Sequence, residues 1–120
     1  MAKILVHITH GPDQPTRAAL GFLVAKSALE EGHAVSVFLA GDAVLLLDAP
    51  ALETVSGVGT GRVGEHYQAL AAGGARFYVS RQSAQSRGLG EELLAGKPAE
   101  FATPRLLVQL ALEHDRMFTY

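Results

Sequence analysis

The sequence predicts a three-layer α/β/α sandwich built on a mainly parallel sheet. Two observations carry that expectation. Three near-continuous apolar, β-rich runs, Lys3–Thr9, Ala34–Ala40 and Ala75–Ser80, alternate with segments of helical period. Strands with no polar alternation are buried on both faces, as in the middle of a parallel sheet flanked by helices. The first strand, its helix and the second strand also fit within about 40 residues, the span of one βαβ unit.

Taken in order, KILVHIT is the first strand and runs into His10-Gly11-Pro12-Asp13-Gln14-Pro15, a loop dense in turn formers. Thr16 is the expected cap of a helix over Arg17–Glu31, with Ala19, Leu20, Leu23, Val24 and Ala28 at helical spacing. Gly32 then closes it in the left-handed conformation. The second strand, AVSVFLA, delivers Gly41-Asp42 to its carboxyl end. Ala43–Leu47 reads as a short helix running into Asp48-Ala49-Pro50. Leu52–Gly64 reads as a flexible glycine loop, despite Val55 and Val58, and Val63–Ala72 as a helix stopped by Gly73-Gly74.

The third strand ends at Ser80. Helical turns follow over Gln82–Gly88 and Glu91–Leu94. Lys97–Ala102 contains Pro98, which removes a ladder donor and confines any strand there to an edge. Thr103 and Pro104 are a good cap and first residue for a helix over Arg105–Glu113, and Arg116–Tyr120 is a final strand. Residues 1–120 are expected to form one domain.

Composition excludes several functions. The chain has no cysteine, which removes disulfides, thiolate metal sites and thiol nucleophiles. A formal charge of −2 argues against nucleic acid as a partner, although Arg81 with Arg87 is a possible local basic patch. No apolar run is long enough to cross a membrane. With no leader-like segment after Met1-Ala2-Lys3, a cytoplasmic protein is the expectation.

In a parallel sheet all strands finish at one edge, so His10, Asp42, Ser80 and the Tyr120 carboxylate are expected to gather there. The stretch ARFYVSRQSAQSRGL, a buried strand emptying into hydroxyls and guanidiniums, marks that edge. His10 is a candidate for proton transfer or ligand binding. Arg87, before Gly88, either holds an anion with its planar fork or pairs with Glu91 or Glu92. Ser80 and Ser83 lack the elbow and base of a serine nucleophile.

Other patterns carry less. Gly59-Thr60-Gly61-Arg62-Val63-Gly64 matches G-x-G-x-x-G, but the next strand ends in Ser80 and not in an acidic residue, so no dinucleotide and no other cofactor is expected. His7 and His10 point to opposite faces of a strand, which disfavours a metal. His7 reads as a core histidine. His33, His66 and His114 read as structural residues near helix ends or on solvent faces.

Over its whole length the chain resembles the DsrE/DsrF-like family of small α/β proteins, which includes sulfur-relay subunits. The resemblance rests on KILVHIT with HGPDQPTRA, on EEGHAVSVFLAGDAV, on ARFYVSRQSAQSRGL and on the C-terminal LAGKPAEFATPRLLVQLALEHDRMFTY. It implies a five-stranded sheet in the order 4-3-2-1-5, with the Pro98 segment as the edge strand, and assembly into homotrimers or homohexamers. In sulfur-carrying members a cysteine ends the third strand, eight residues before the glycine of the Arg-Gly pair, and some carry a second three residues later; these positions are Ser80 and Ser83 here. A hydroxyl cannot carry a persulfide. The expected function is therefore a small anion or metabolite bound by His10, Asp42, Ser80, Ser83, Arg87 and Gly88 without sulfur transfer. The alternative is a non-catalytic partner subunit in a sulfur-relay complex.

Overall fold

In the computed structural model, which describes residues 1–120, the three apolar runs are adjacent parallel strands: β1 (Lys3–Ile8), β2 (Ala34–Leu39) and β5 (Arg76–Ser80). Two edge strands complete the sheet, β6 (Ala99–Ala102) beside β5 and β7 (Arg116–Thr119) beside β1, both parallel to their neighbours. The order β6-β5-β2-β1-β7 is the 4-3-2-1-5 pattern, counting the strands of this sheet in sequence. Pro98 lies just outside the edge strand, where its carbonyl accepts from Phe77 N.

Helix α1 (Pro15–Glu30) begins two residues earlier than the capping pattern suggests. Pro15 fills the first helical position, where its missing N–H costs nothing, and no side chain caps this end. The Thr16 hydroxyl, not needed as a cap, instead accepts from Val58 N at 3.1 Å. Gly41–Leu47 forms a 3-10 helix, and a short helix not expected from the sequence, α2 (Ala49–Thr54), follows it. Asp48 caps α2 by accepting from Ala49 N, so the Asp-Ala-Pro triplet starts a helix as well as ending one. The expected glycine loop contains a small antiparallel hairpin, β3 (Ser56–Gly57) with β4 (Gly61–Arg62), leading directly into α3 (Val63–Ala72). Helix α4 (Arg81–Gln85), a 3-10 turn over Glu91–Leu94 and α5 (Pro104–Glu113) complete the chain. Thr103 caps α5, as its position predicts, accepting from Leu106 N at 3.2 Å.

The two faces of the sheet are covered unequally. Ile4, Val6 and Ile8 of β1, with Val37, Leu39, Phe77 and Val79, join a cluster of 23 buried residues beneath α1, α2, α3 and the first 3-10 helix. The opposite face holds a cluster of only four, Leu5, Phe38, Ala102 and Leu110, under α5 alone. The reason is topological. Helix α5 must cross from the end of β6 to the start of β7, the two opposite edges. Ten residues make a helix of about 15 Å, whereas five strands at roughly 4.8 Å spacing span about 19 Å. One such helix leaves part of this face uncovered.

Candidate functional site

The carboxyl edge is built by the ends of β1, β2 and β5. Ser80 is the last residue of β5 and is almost fully buried. It shares the α5 side of the sheet with Tyr78, because Phe77 and Val79 belong to the larger cluster. Beyond Ser80 the chain turns into α4, whose Ala84 packs on the large-cluster side, whereas from neighbouring β6 it turns into α5 on the other. Ser80 and its register partner Ala102 therefore flank the point where adjacent connections diverge, the usual place for a site in an open α/β sheet.

The two serine hydroxyls are engaged within the chain. Ser80 Oγ accepts from Ser83 N at 3.2 Å and caps α4. Ser83 Oγ accepts from Gly41 N at 2.9 Å, fastening the start of α4 to the end of β2. Arg87 closes the same corner. Its Nε and one terminal nitrogen donate to Asp42 Oδ1 at 3.2 and 2.9 Å, and its other terminal nitrogen donates to Ser83 O and Ser86 Oγ. Arg87 thus pairs with Asp42 rather than with Glu91 or Glu92: the loop between Gly88 and Gly90 carries those glutamates away, and Glu92 accepts instead from Gly90 N. Arg81 lies over the Phe101 ring at 4.8 Å, so the two arginines turn to different partners. Gly88 adopts φ +72°, a turn conformation that glycine takes at least cost.

His10 is half-buried at the neighbouring strand end, 3.5 Å from Thr9 Oγ1. The next residue, Gly11, holds the two loops in contact, since a Cβ there would lie 2.2 Å from Asp42 O. The structure therefore gathers Asp42, Ser80, Ser83 and Arg87, with Gly88 closing the turn and His10 one residue from the contact. Tyr120 is separate from Ser80. Its main-chain oxygen accepts from Thr9 N at 2.8 Å and from Thr9 Oγ1 at 3.2 Å, three strands or about 14 Å from β5.

The histidines behave differently from one another. His7 lies on the α5 side, edge-on to Phe38 at 5.7 Å, with Nε2 buried and unpartnered. Burial lowers its pKa below 6.5. His33 Nδ1 accepts from Ala2 N, and His114 Nδ1 lies against Leu110 O. His66 is in the core and not near solvent, 2.7 Å from Thr60 O. It stabilises the hairpin that occupies the G-x-G-x-x-G stretch. Two surface cavities, of about 280 and 220 Å³, lie beside α2; none of the edge residues named above lines either.

Residues 2–120 match the family model described as the DsrE/DsrF-like family. The chain belongs to that family. No curated protein matches it in sequence. Among solved structures, this DsrE/DsrF-like chain is similar to the ychN protein from E. coli, with a TM-score of 0.81 at 18% identity over all of both chains. It is also similar to BT1422, a conserved protein of unknown function from Bacteroides thetaiotaomicron, with a TM-score of 0.70 at 10% identity over 99% of this chain and 95% of that one. At such identities these likenesses carry the fold alone. Within the family, Ser80 and Ser83 stand where the resemblance places the cysteines of sulfur-carrying members. No helix is long and apolar enough to cross a membrane.

The latch between Ser83 and Gly41 and the Gly11–Asp42 contact have no signature in the sequence, because both join residues far apart along the chain. Ser80 as a cap does have one. A serine between a strand and a helical turn, with the next backbone donor three residues on, is a local signal.

Proposed function

We propose that this single-domain DsrE/DsrF-like protein is a non-catalytic homo-oligomer, a trimer or hexamer. Its carboxyl edge binds a small anion through Arg87 without performing sulfur transfer. The observation that carries this reading is the incomplete layer over the α5 side of the sheet. Apolar side chains are left exposed there: Val108 (60%) and Leu112 (83%) on α5, and Met117 (47%) on β7, which its register partner Leu5 places on this side. Three large apolar residues on adjoining elements form the kind of patch that another chain covers, and a closed ring of identical chains covers it on every copy.

The anion is supported by the exposed geometry of Arg87. Its side chain is 31% exposed and Asp42 48%, and an ion pair that open to water contributes at most about 1 kcal/mol. A multiply charged anion can therefore compete with Asp42 for the fork. The lack of any cysteine supports the absence of persulfide chemistry.

Sedimentation velocity tests the assembly. The wild type should sediment as a trimer or hexamer, and Leu112→Glu or Val108→Glu should yield folded monomers. Both residues are exposed in the isolated chain, so neither change costs the fold its core. A wild type that is monomeric at micromolar concentrations refutes self-assembly and moves the reading to a face made for a different, cysteine-bearing subunit.

A further inference from the structure

Helices α2 and α3 face each other across the cleft of about 220 Å³, on the large-cluster side and lined by none of the carboxyl-edge residues. Its walls follow from helical spacing. Ala49, Leu52 and Glu53 form one face of α2, and Gly64, Tyr67 and Gln68 the matching face of α3, each triplet at i, i+3 and i+4. The helices approach closely because position 64 is glycine: a Cβ there would lie 2.1 Å from Leu52 O. Arg62, also in the wall, is anchored by donation from one terminal nitrogen to that same carbonyl at 2.8 Å.

The cleft contains one cation and one anion that do not neutralise each other. The sole ionic neighbour of Arg62 is Glu65, at a loose 3.9 Å, and Glu53 makes no ion pair. Tyr67 is held against Phe77 with ring centroids 5.2 Å apart. Burial raises its pKa above 10, so its hydroxyl remains a donor at neutral pH.

We propose that this cleft is a binding site for a small zwitterion of the α-amino-acid class, its carboxylate on Arg62 and its ammonium on Glu53. The volume suits a compact ligand, about seven waters at roughly 30 Å³ each. The leucine and alanine of α2 supply an apolar floor, and Tyr67 and Gln68 supply neutral hydrogen-bonding groups of the kind that fix orientation in small-molecule sites. A simple anion leaves Glu53 facing it as a like charge, and a simple cation does the same with Arg62. Only a ligand with both charges matches both walls.

The test is a titration of the full, isotopically labelled chain with L-alanine, followed by the amide signals of Gly64 and Gln68. Acetate and methylammonium serve as half-ligands. L-Alanine is expected to produce saturable shifts with an affinity at least tenfold above either half-ligand, a margin of about 1.4 kcal/mol. Glu53→Gln should abolish that margin and leave the circular dichroism unchanged, because Glu53 is exposed and unpaired. Arg62→Gln should abolish binding, but it also removes the bond to Leu52, so the Glu53 variant carries the decision. No saturable shift with L-alanine, half-ligands that bind as well as the zwitterion, or a Glu53→Gln protein that keeps the margin would each overturn the proposal.

Discussion

Replacing Ser83 by alanine asks whether the carboxyl-edge hydroxyls hold the fold or wait for a ligand. Ser83 Oγ is the acceptor for Gly41 N at 2.9 Å, in a partly buried turn. Alanine deletes the acceptor and leaves the donor unsatisfied, which costs about 1–3 kcal/mol. The bond from Arg87 to Ser83 O uses the main chain and survives. For 120 residues, an unfolding entropy of about 2.1 cal/mol/K per residue gives roughly 0.25 kcal/mol/K, so the melting temperature should fall by about 4–12 °C. Calorimetry at fixed protein concentration reads this directly, since assembly makes the midpoint concentration-dependent. Ser83→Thr keeps the oxygen and should recover most of the loss. A fall below about 2 °C for Ser83→Ala would mean that the hydroxyl is free to serve a ligand, and the structural account of this corner would be wrong.

Three further outcomes are expected. Incubated with a sulfane donor, the wild type should show no stable added sulfur by mass spectrometry, whereas Ser80→Cys should acquire one; an adduct on the wild type contradicts the proposed absence of sulfur transfer. Asp42→Asn should tighten sulfate binding by freeing the Arg87 fork, and Arg87→Ala should eliminate it; equal affinities in titration calorimetry would remove Arg87 from the site. His7 has its pKa lowered by burial, so between that value and 6.5 the unfolded chain binds more protons than the folded one. The stability linked to His7 is full above pH 6.5 and is lost as pH falls below it. Thermal melts of His7→Gln should lose that part of the acid slope, and an unchanged slope would assign it to other groups.

The fold was legible because its signals are local and mutually consistent. KILVHI, AVSVFL and RFYVS are too uniformly apolar for anything but a buried sheet, and Thr103-Pro104 sets the start of α5 by cap chemistry alone. Readings failed where one residue had two possible uses. Pro15 displaced Thr16 from capping because it starts the helix better, and Asp48-Ala49-Pro50 both closes one short helix and opens another. Gly57, Gly59, Gly61 and Gly64 concealed a hairpin that depends on a distant donor–acceptor pair, Val58 N to Thr16 Oγ1. At the site, residue types were legible but partners were not. Arg87 finds Asp42 across 45 positions, and no spacing rule links them.

Serine at positions 80 and 83 does more than remove sulfur. A hydroxyl oxygen accepts from an amide at about 2.7–3.2 Å, and both bonds here, at 3.2 and 2.9 Å, fall within that range. A thiol sulfur is a weaker acceptor and larger, so it would loosen the cap on α4 and the tie to Gly41. A relay protein needs the opposite balance, with its sulfur accessible and kept as thiolate by nearby positive charge. Both serine hydrogen bonds favour the same outcome, a rigid corner between β2 and β5. That makes Ser80→Cys diagnostic on two axes. It should gain sulfur chemistry and lose stability, and a variant that gained the first without the second would show that the serines are not there to hold the corner.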